Sequence, residues 1–426
     1  MESNDLSQSR FASLRTSVVL AIVFAIGTVA GMLIDGGSTS RASSSLTDSP
    51  AFEVFEETWN LVQDRYVLPD ELDDTELMYG AARGMVEAVG DVGHSAFLDP
   101  VDAQSFRASL SGELIGIGVR LEFTGRFPEV VEPIRDSPAE IAGIESGDLI
   151  VAIDGRDTGR LTSLEVGSLL RGEEGVPVDL TVERPDTAEQ FELTIVRARI
   201  EIDPVEWAEL PQGQFLIRLS EFSEGAGEGV ADAVDAALQA GATGIILDLR
   251  GNPGGSVYEA EAVAAQFMPP GTVLYIEQQR DAEPENYEIS RDAGRAQNIP
   301  LVVLVDENSA SAAEIVAASL RDNGRAEVVG VPTFGTGTIV SSFDLDDGSI
   351  AAIGTAVWTS PAGESARNVG IQPSVIVEMP PDGEQVAFDD GDRLTSFNLE
   401  SSGDLQLRAA LELLSGAMTH HHETIG

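Results

Sequence analysis

The strongest constraint on the fold comes from two short, nearly continuous apolar runs, Ile245 to Leu249 and Leu301 to Val305. Runs of this length are typical of parallel strands that are buried on both faces. Between residues 201 and 379, such β-like runs alternate with helical stretches. That alternation predicts an α/β layer architecture, with helices packed on a mostly parallel sheet.

The sequence predicts further folded regions on either side of this part. Residues 51–111 have helical periodicity, with one apolar stripe that should face a core. The stripe consists of Phe52, Phe55, Trp59 and Val62. In residues 112–200 the pattern changes to short β-like runs separated by turns. Residues 380–426 form an acidic segment, with a predicted amphipathic helix near 405–414.

The N-terminus carries a membrane signal, because Ser17 to Ile34 contains no charged residue and is near the lower length limit for spanning a bilayer. Two arginines precede it, which favours an N-terminus held in the cytoplasm. We therefore predict a cytoplasmic segment (1–16), an uncleaved signal-anchor (17–34) and a flexible linker (35–50). A cleaved signal peptide and a buried helix of a soluble protein are the alternatives. The signal-anchor and the signal peptide both place the folded part outside the membrane, in the periplasm or the cell exterior.

Charge and composition exclude several classes of function. Asp and Glu total 72 against 25 basic residues, so the net charge of −47 would repel nucleic acid and anionic lipid headgroups. All 25 basic residues are arginine, so a mechanism that needs a lysine amine cannot operate. The chain has no cysteine, which excludes a thiol nucleophile and Cys-ligated zinc. Its four histidines are His94 and His420 to His422.

Two turns that follow the apolar runs contain residue types that suit catalysis. The first, Asn252 to Gly255, ends in paired glycines whose backbone N–H groups can bind an anion or a developing oxyanion. An ordinary tight turn between a strand and a helix has the same pattern. The second, Ser309 to Ser311, opens an Ala-rich helix, where a serine is first of all an N-cap. A nucleophile at that place would gain from the helix dipole.

In this order, the motifs resemble those of the carboxy-terminal processing proteases, the tail-specific serine peptidases. The family's DLR-x-N-P-G-G turn is matched at Asp248 to Gly255, its S-A-S-A-x-E-I turn at Ser309 to Ile315, and its T-F-G-x-G turn at Thr333 to Gly337. The stretch DSPAEIAGIESGDLIVAIDG, from Asp136 to Gly155, resembles the family's PDZ domain. The likeness covers roughly Ala51 to Met379.

The resemblance implies three folded parts in a multidomain α/β protein. These are an N-terminal helical domain (51–111), a PDZ domain (112–200) and a peptidase-like core (201–379). The core is expected to be of the Clp-protease and crotonase type, with the PDZ domain inserted before it. A C-terminal segment (380–426) follows.

The resemblance also implies a role for individual residues. Ser311 stands at the nucleophile position, and Asp322 matches an acidic position that supports the site. The oxyanion hole would be formed by the backbone N–H groups of Gly254 or Gly255 and of Ala312. The family's general-base lysine corresponds to Thr336, and the glutamine that orients it corresponds to Val340. Two of the three catalytic side chains are therefore missing.

The missing lysine leaves the function open. A serine hydroxyl needs a base within about 3 Å, and arginine stays protonated. Asp322 or Glu314 would serve only with a pKa raised by burial, and Thr336 cannot serve. We expect His94 to be structural, because the resemblance places it in the helical domain, far from the core. The alternatives are a working peptidase with an unfamiliar base, a catalytically disabled relative that binds peptides or regulates, and other hydrolase chemistry at Ser311.

The PDZ-like region predicts the partners. Such domains add an extended chain terminus as a strand to a sheet edge, and backbone N–H groups meet the terminal carboxylate. The residues expected to do so are Ile115, Gly116, Ile117 and Gly118. The expected partners are protein or peptide substrates with apolar C-terminal tails, with no nucleic acid, and the membrane is contacted through the N-terminal helix. No metal or organic cofactor is implied.

Overall fold

A computed structural model describes the chain from residue 49 onward, with gaps. The described residues are 49–91, 94–123, 125–161, 163–185, 187, 189–380, 383, 385–386 and 403–416. The predicted cytoplasmic segment, the signal-anchor and nearly all of the linker lie outside these residues, as do most of the acidic segment and the three C-terminal histidines. In the part that is described, no helix has the length and apolar character needed to cross a membrane.

The N-terminal region is helical, as predicted. Its elements are α1 (Pro50–Arg65), α2 (Asp74–Glu87), β1 (Ala96–Leu98), α3 (Pro100–Leu110) and β2 (Glu113–Gly116). Asp73 and Asp99 cap α2 and α3 by accepting backbone N–H groups of the first turn. The predicted core-facing stripe of α1 is wrong, because no residue of α1 is buried and Phe55 is 38% exposed. Periodicity predicts an apolar face, but not what covers it.

The chain divides into two compact units. The smaller comprises residues 117–171 and 175–197, a few residues inside the predicted PDZ domain, and the larger contains the other described residues. The elements of the smaller unit are β3 (Val119–Glu122), β4 (Glu129–Pro133), α4 (Pro138–Ile141), β5 (Leu149–Ile153), β6 (Arg156–Asp157), α5 (Ser163–Leu170), β7 (Pro177–Arg184) and β8 (Glu189–Val196).

The smaller unit is an antiparallel sheet with two helices on its buried face. The strand order is β3-β4-β5-β7-β8, and β6 pairs with β5. Along β7, buried side chains alternate with more exposed ones, as in a strand with one face on a core. Its core includes Ala139 of α4, Val166 of α5 and the sheet residues Ile150, Leu180 and Ile195.

The larger unit contains the predicted α/β part. Its further elements are β9 (Ala198–Glu201), β10 (Val205–Leu210), β11 (Gln214–Leu219), α6 (Ala226–Gln239), β12 (Gly244–Asp248), α7 (Val257–Phe267), β13 (Val273–Gln279), β14 (Glu285–Glu288), β15 (Leu301–Val305), α8 (Ala312–Asp322), β16 (Glu327–Gly330), β17 (Thr338–Asp344), β18 (Ile350–Thr359), β19 (Val375–Ile376) and α9 (Leu405–Leu414). The short strand β9 pairs with β2.

The central sheet has the order β10-β11-β12-β15-β16-β19 and is parallel except between β10 and β11. Every residue of β12 and β15 is buried, which confirms the prediction from the two apolar runs. On one face, Ile245 and Leu247 pack in a core with α6, α7 and α8. On the other face, Ile246 packs against α9. The predicted α/β layers are therefore present.

A second, antiparallel sheet ties the N-terminal region to this core. Its order is β1-β18-β13-β14, with β17 also paired to β18. Ala96 of β1 lies opposite Ala352 of β18. Residues just before β1 are therefore fixed beside β17 and β18, although they are more than 240 positions away in the sequence.

Candidate active site

Ser311 is the last residue of the turn between β15 and α8, and its backbone conformation is unusual. Its φ of 55° and ψ of −117° cost on the order of 1–3 kcal/mol for a residue with a Cβ. The side chain is 1% exposed, and its Oγ has no hydrogen-bond partner among the described residues. An ordinary N-cap serine has extended backbone and accepts an N–H of the first turn. Ser311 therefore differs from an ordinary cap in its backbone and in its hydroxyl, although Glu314 Oε2 accepts its N–H at 2.9 Å as in a capping box.

The turn that carries Ser311 is tied to the strand ends around it. Ser309 Oγ donates to the carbonyl of Leu249 at 2.8 Å, and the N–H of Ala310 donates to the carbonyl of Asn252 at 3.0 Å. Asn252 Nδ2 donates in turn to the carbonyl of Leu219 at 2.8 Å. The carboxyl ends of β11, β12 and β15 are thus joined at the serine turn.

The predicted glycine turn lies directly against Ser311. A Cβ on Gly254 would lie 2.7 Å from Ser311 Cβ and 3.1 Å from the nitrogen of Ala312. The N–H of Gly254 already donates to Asn252 Oδ1 at 2.8 Å, so it is not free for an oxyanion. The N–H groups of Gly255 and Ala312 have no acceptor in the described part of the chain. These two are the donors that remain for a developing negative charge.

Thr336, at the position expected for lysine, is held by Glu314. Its hydroxyl accepts the N–H of Ser311 at 2.9 Å and donates to Glu314 Oε2. Glu314 also accepts the N–H groups of Ser311, Gly335 and Thr336, each at 2.9 Å, and the hydroxyl of Thr333. Burial raises the pKa of Glu314, and the hydrogen bonds from the two threonine hydroxyls oppose that shift.

His94 lies against the core, and the expectation that it is far from the core is wrong. It is 2% exposed, and its Nδ1 is 2.5 Å from Thr338 Oγ1 on β17. Thr338 Oγ1 also lies 3.1 Å from Asp91 Oδ2, and the Nε2 of His94 has no partner among the described residues. Burial lowers the pKa of His94 to about 4, against the opposing effect of the Asp91 charge. The pairing of β1 with β18 places His94 beside β17.

Sequence reasoning missed this contact, although one signal was available. In a chain without lysine or cysteine, His94 is the only histidine outside the C-terminal tail. Elimination alone therefore singles it out among side chains that can exchange a proton near neutral pH.

Buried charges hold the strand end that leads into the glycine turn. Arg250 donates from Nε and Nη2 to Asp248 at 2.9 and 2.8 Å, and from Nη1 to Asp404 at 2.9 and 3.0 Å. Burial alone would raise the pKa of Asp248, but Arg250 and Arg218 lower it to about 2. Asp404 also caps α9 by accepting the N–H of Leu407. The cluster fixes α9 to the end of β12.

Two family models match the chain. The model of peptidase family S41 matches residues 215–377, and a PDZ domain model matches residues 129–184. The carboxyl-terminal-processing protease of Synechocystis sp. is 35% identical over 376 residues, covering 86% of this chain and 84% of that protein. CtpA of Bacillus subtilis, a carboxy-terminal processing protease, is 31% identical over 370 residues, with 86% and 78% covered. The chain belongs to the carboxyl-terminal processing proteases of peptidase family S41.

The fold agrees with that assignment. The crystal structure of a protein assigned to the S41 proteases, from Bacteroides fragilis, has a TM-score of 0.54 and covers 84% of this chain and 97% of that one. At 17% identity, that likeness concerns the fold alone. The smaller unit is the PDZ domain of this S41 chain, and the larger contains its peptidase core.

The other two predicted positions of this S41 site, Val340 and Asp322, have different surroundings. Val340 is buried on β17 in an apolar cluster with Leu98, Ala103, Ile350 and Ala352. Asp322 is at the far end of α8 from Ser311, about 15 Å away along the axis at 1.5 Å per residue. Asp322 accepts from Arg321 at 2.8 Å and from the N–H of Ala362 at 3.0 Å. The structure therefore does not bring Asp322 into contact with Ser311.

The residues expected to bind a terminal carboxylate lie in two elements. Ile115 and Gly116 belong to β2 and are already paired with β9. Ile117 is buried in the core of the PDZ unit, and Gly118 has a φ of 80° just before β3. No acceptor among the described residues takes the N–H groups of Ile117 and Gly118. Of the four predicted residues, these two keep free donors beside an edge strand.

Proposed function

We propose that this chain is a serine peptidase that captures protein tails through its PDZ domain and cleaves them with Ser311 as the nucleophile. The folded part would act outside the cytoplasm, held at the membrane by residues 17–34. The location is supported by the charge-free N-terminal stretch. The expected substrates are proteins or peptides with apolar C-terminal tails.

The observation that carries the proposal is the state of Ser311. A strained backbone persists only where the surrounding structure holds it, and here Glu314 and Thr336 both accept the serine N–H. The hydroxyl is left without a partner, close to the glycine turn. A serine that served only to cap α8 would need neither the strain nor the free hydroxyl. Both features suit a nucleophile beside an oxyanion hole.

Tail capture is supported by the edge of the PDZ sheet. β3 ends the strand order, so an extended peptide can pair with its outer edge. The N–H groups of Ile117 and Gly118 precede that strand and suit a terminal carboxylate. These donors are backbone groups, so capture does not depend on the missing lysine.

A second candidate is a catalytically disabled relative that binds peptides without cleaving them. It is favoured by Thr336, whose hydroxyl donates to Glu314 and cannot take up a proton at neutral pH. The apolar surroundings of Val340 favour it as well. In that case the PDZ domain would carry the whole function.

A cleavage assay separates the two candidates. The full-length protein in detergent will cleave an unstructured protein with an apolar C-terminus, and Ser311→Ala will reduce the rate by at least about 10³-fold. The reason is that no other side chain would attack the peptide carbonyl. Product fragments are measured by mass spectrometry. Equal rates for the two proteins, or no cleavage by either, would remove the peptidase proposal.

The tail-capture step is tested with a matched pair of peptides on the Ser311→Ala variant. A fluorescent peptide with an apolar tail and a free C-terminal carboxylate will bind at least about tenfold more tightly than the same peptide with a C-terminal amide. Hydrogen bonds to a charged group contribute about 1.5–3 kcal/mol, and 1.4 kcal/mol is tenfold in affinity. Fluorescence anisotropy gives both constants. Equal affinities would contradict carboxylate recognition.

A further inference from the structure

Five buried side-chain atoms among the described residues have no hydrogen-bond partner, and two of them, Oγ of Ser311 and Nε2 of His94, belong to residues that contact neighbouring threonines. The other three are Arg291 Nε, Ser342 Oγ and Trp358 Nε1. Buried polar groups in native proteins are nearly always satisfied, so each exception requires a reason. A reason common to Ser311 and His94 is that each awaits a partner present only during a reaction.

Thr336 and Thr338, two positions apart in the chain, each contact one of these two residues. Thr336 Oγ1 accepts the N–H of Ser311, and Thr338 Oγ1 contacts Nδ1 of His94. The pairing with β18 continues through Gly337, whose carbonyl accepts the N–H of Trp358. Thr336 and Gly337 precede the first residue of β17, and Cα atoms of residues two apart are separated by at most about 7 Å in any backbone conformation. A Cβ on Gly337 would meet the side chain of Arg367.

The contacts of His94 fix which ring nitrogen carries the proton. Thr338 Oγ1 donates to the carboxylate of Asp91, which can only accept. The threonine oxygen must therefore accept the proton of His94 Nδ1. Nε2 is then left as a bare lone pair, the form that a general base requires. Asp91 is itself held by the hydroxyl of Ser95, at 2.8 Å.

Other side chains fit this role less well. The chain has no lysine or cysteine, and arginine stays protonated. Glu314 already accepts five hydrogen bonds, from Ser311, Thr333, Gly335 and Thr336. Burial raises the pKa of Glu314, but those bonds occupy its lone pairs and leave no free position to take up the serine proton. We infer that Glu314 positions the serine turn.

We propose that His94 is the general base of Ser311 and replaces the absent lysine. The inference rests on the proposed peptidase function. Nε2 takes the hydroxyl proton as Oγ forms a bond to the carbonyl carbon of the scissile peptide. The imidazolium then returns that proton to the leaving amine as the C–N bond breaks. In deacylation, Nε2 takes a proton from water as the water oxygen bonds to the acyl carbon, and the imidazolium returns that proton to Ser311 Oγ as the ester C–O bond breaks and the acid leaves.

The charges around the ring support this assignment. Asp91 faces it from the segment before β1, and the uncharged Thr338 faces it from β17. Burial keeps the pKa of His94 near 4, so the ring is neutral at pH 7 but is a weaker base than a free imidazole. As the imidazolium forms, Asp91 stabilises it through the Thr338 hydroxyl. Hydrogen bonds of such a site are often absent before substrate binds.

The test uses the full-length protein and a fluorophosphonate probe, which reacts with an activated serine and needs no peptide substrate. Wild type will be labelled at Ser311, and His94→Ala will be labelled 10²–10⁴-fold more slowly, the usual cost of losing a general base. Added imidazole will restore part of the rate in His94→Ala, since it fills the space left by the ring. Thr336→Lys in the His94→Ala background will also restore labelling, because it supplies a second base.

The outcomes separate the two proposals. If labelling depends on His94 but no unfolded protein is cleaved, the assignment of His94 as general base is kept and the peptidase function is removed. If the rate of Ser311-dependent cleavage by His94→Ala stays within threefold of wild type, His94 is not the general base, and the peptidase function is kept. A folded His94→Ala variant that neither imidazole nor Thr336→Lys restores would also overturn the assignment of His94. His421→Gln, in the C-terminal tail, is the matched histidine control and should label at the wild-type rate.

The pH dependence of the labelling rate is a further test, because a purely structural role of His94 would not affect it. The labelling rate of wild type will rise with pH through an apparent pKa near 4 and stay level from pH 6 to 8. Asp91→Asn removes the charge that raises the pKa of His94, so the rise will move to lower pH. A rise centred above pH 8 would indicate another base and overturn the proposal.

Discussion

Replacing Arg250 by methionine will lower the free energy of unfolding by roughly 3–5 kcal/mol, the usual cost of removing one partner from a buried ion pair. The guanidinium lies between Asp248 and Asp404, and all three side chains are essentially inaccessible to water. Methionine keeps much of the volume but leaves two buried carboxylates without their main partner. Denaturant unfolding, followed by circular dichroism, measures the change.

The matched control is the same substitution at an exposed pair. Arg295 and Asp235 are 2.6 Å apart, but their side chains are 61% and 40% exposed. Exposed pairs contribute about 0–1 kcal/mol, so Arg295→Met should change stability by no more than that. Equal losses for the two variants would contradict the importance of burial at Arg250.

The Arg250 effect should also depend on pH. The pKa of Asp248 falls from 3.8 in the unfolded chain to about 2 in the folded protein. A lowered folded pKa gives stability that is complete above pH 4 and is lost as the pH falls through 2, about 2 kcal/mol for a shift of this size. The difference between wild type and Arg250→Met should therefore shrink from pH 5 toward pH 2.

The fold was predictable to the extent that local patterns determine it. The runs Ile245 to Leu249 and Leu301 to Val305 fall on the buried central strands β12 and β15, because a nearly continuous apolar run has few other stable environments. The turns after them carry Gly254 and Ser311, as the motif order indicated. Helix α9 was also anticipated, from its amphipathic spacing near residues 405–414.

Features that depend on distant contacts were not predictable. His94 was placed far from the core because its neighbours in sequence are helical, yet the pairing of β1 with β18 carries it to Thr338. The use of the Gly254 N–H by Asn252 depends on the exact path of one turn. The five hydrogen bonds of Glu314 come partly from a turn about 20 residues later. Each depends on tertiary geometry that spacing does not encode.

Replacing Gly254 by alanine will slow the reaction of Ser311 at least about 10²-fold, as a displacement of about 1 Å in an active site does. The new Cβ would lie 2.7 Å from Ser311 Cβ and 2.9 Å from the carbonyl oxygen of Ala310, closer than real Cβ atoms approach. Neither atom belongs to a flexible side chain, so the serine turn must shift. The φ of 104° adds backbone strain. The rate of fluorophosphonate labelling measures the effect directly.

Gly251 provides the matched control in the same turn. Its φ of 69° also disfavours alanine, but a Cβ there would meet no atom within 4 Å. Gly251→Ala should therefore cost about 1 kcal/mol of stability through the backbone alone and leave labelling near the wild-type rate. The comparison separates close approach from backbone strain, because only Gly254 has both. If the two variants slowed labelling equally, the contact between Gly254 and Ser311 would not be what positions the nucleophile.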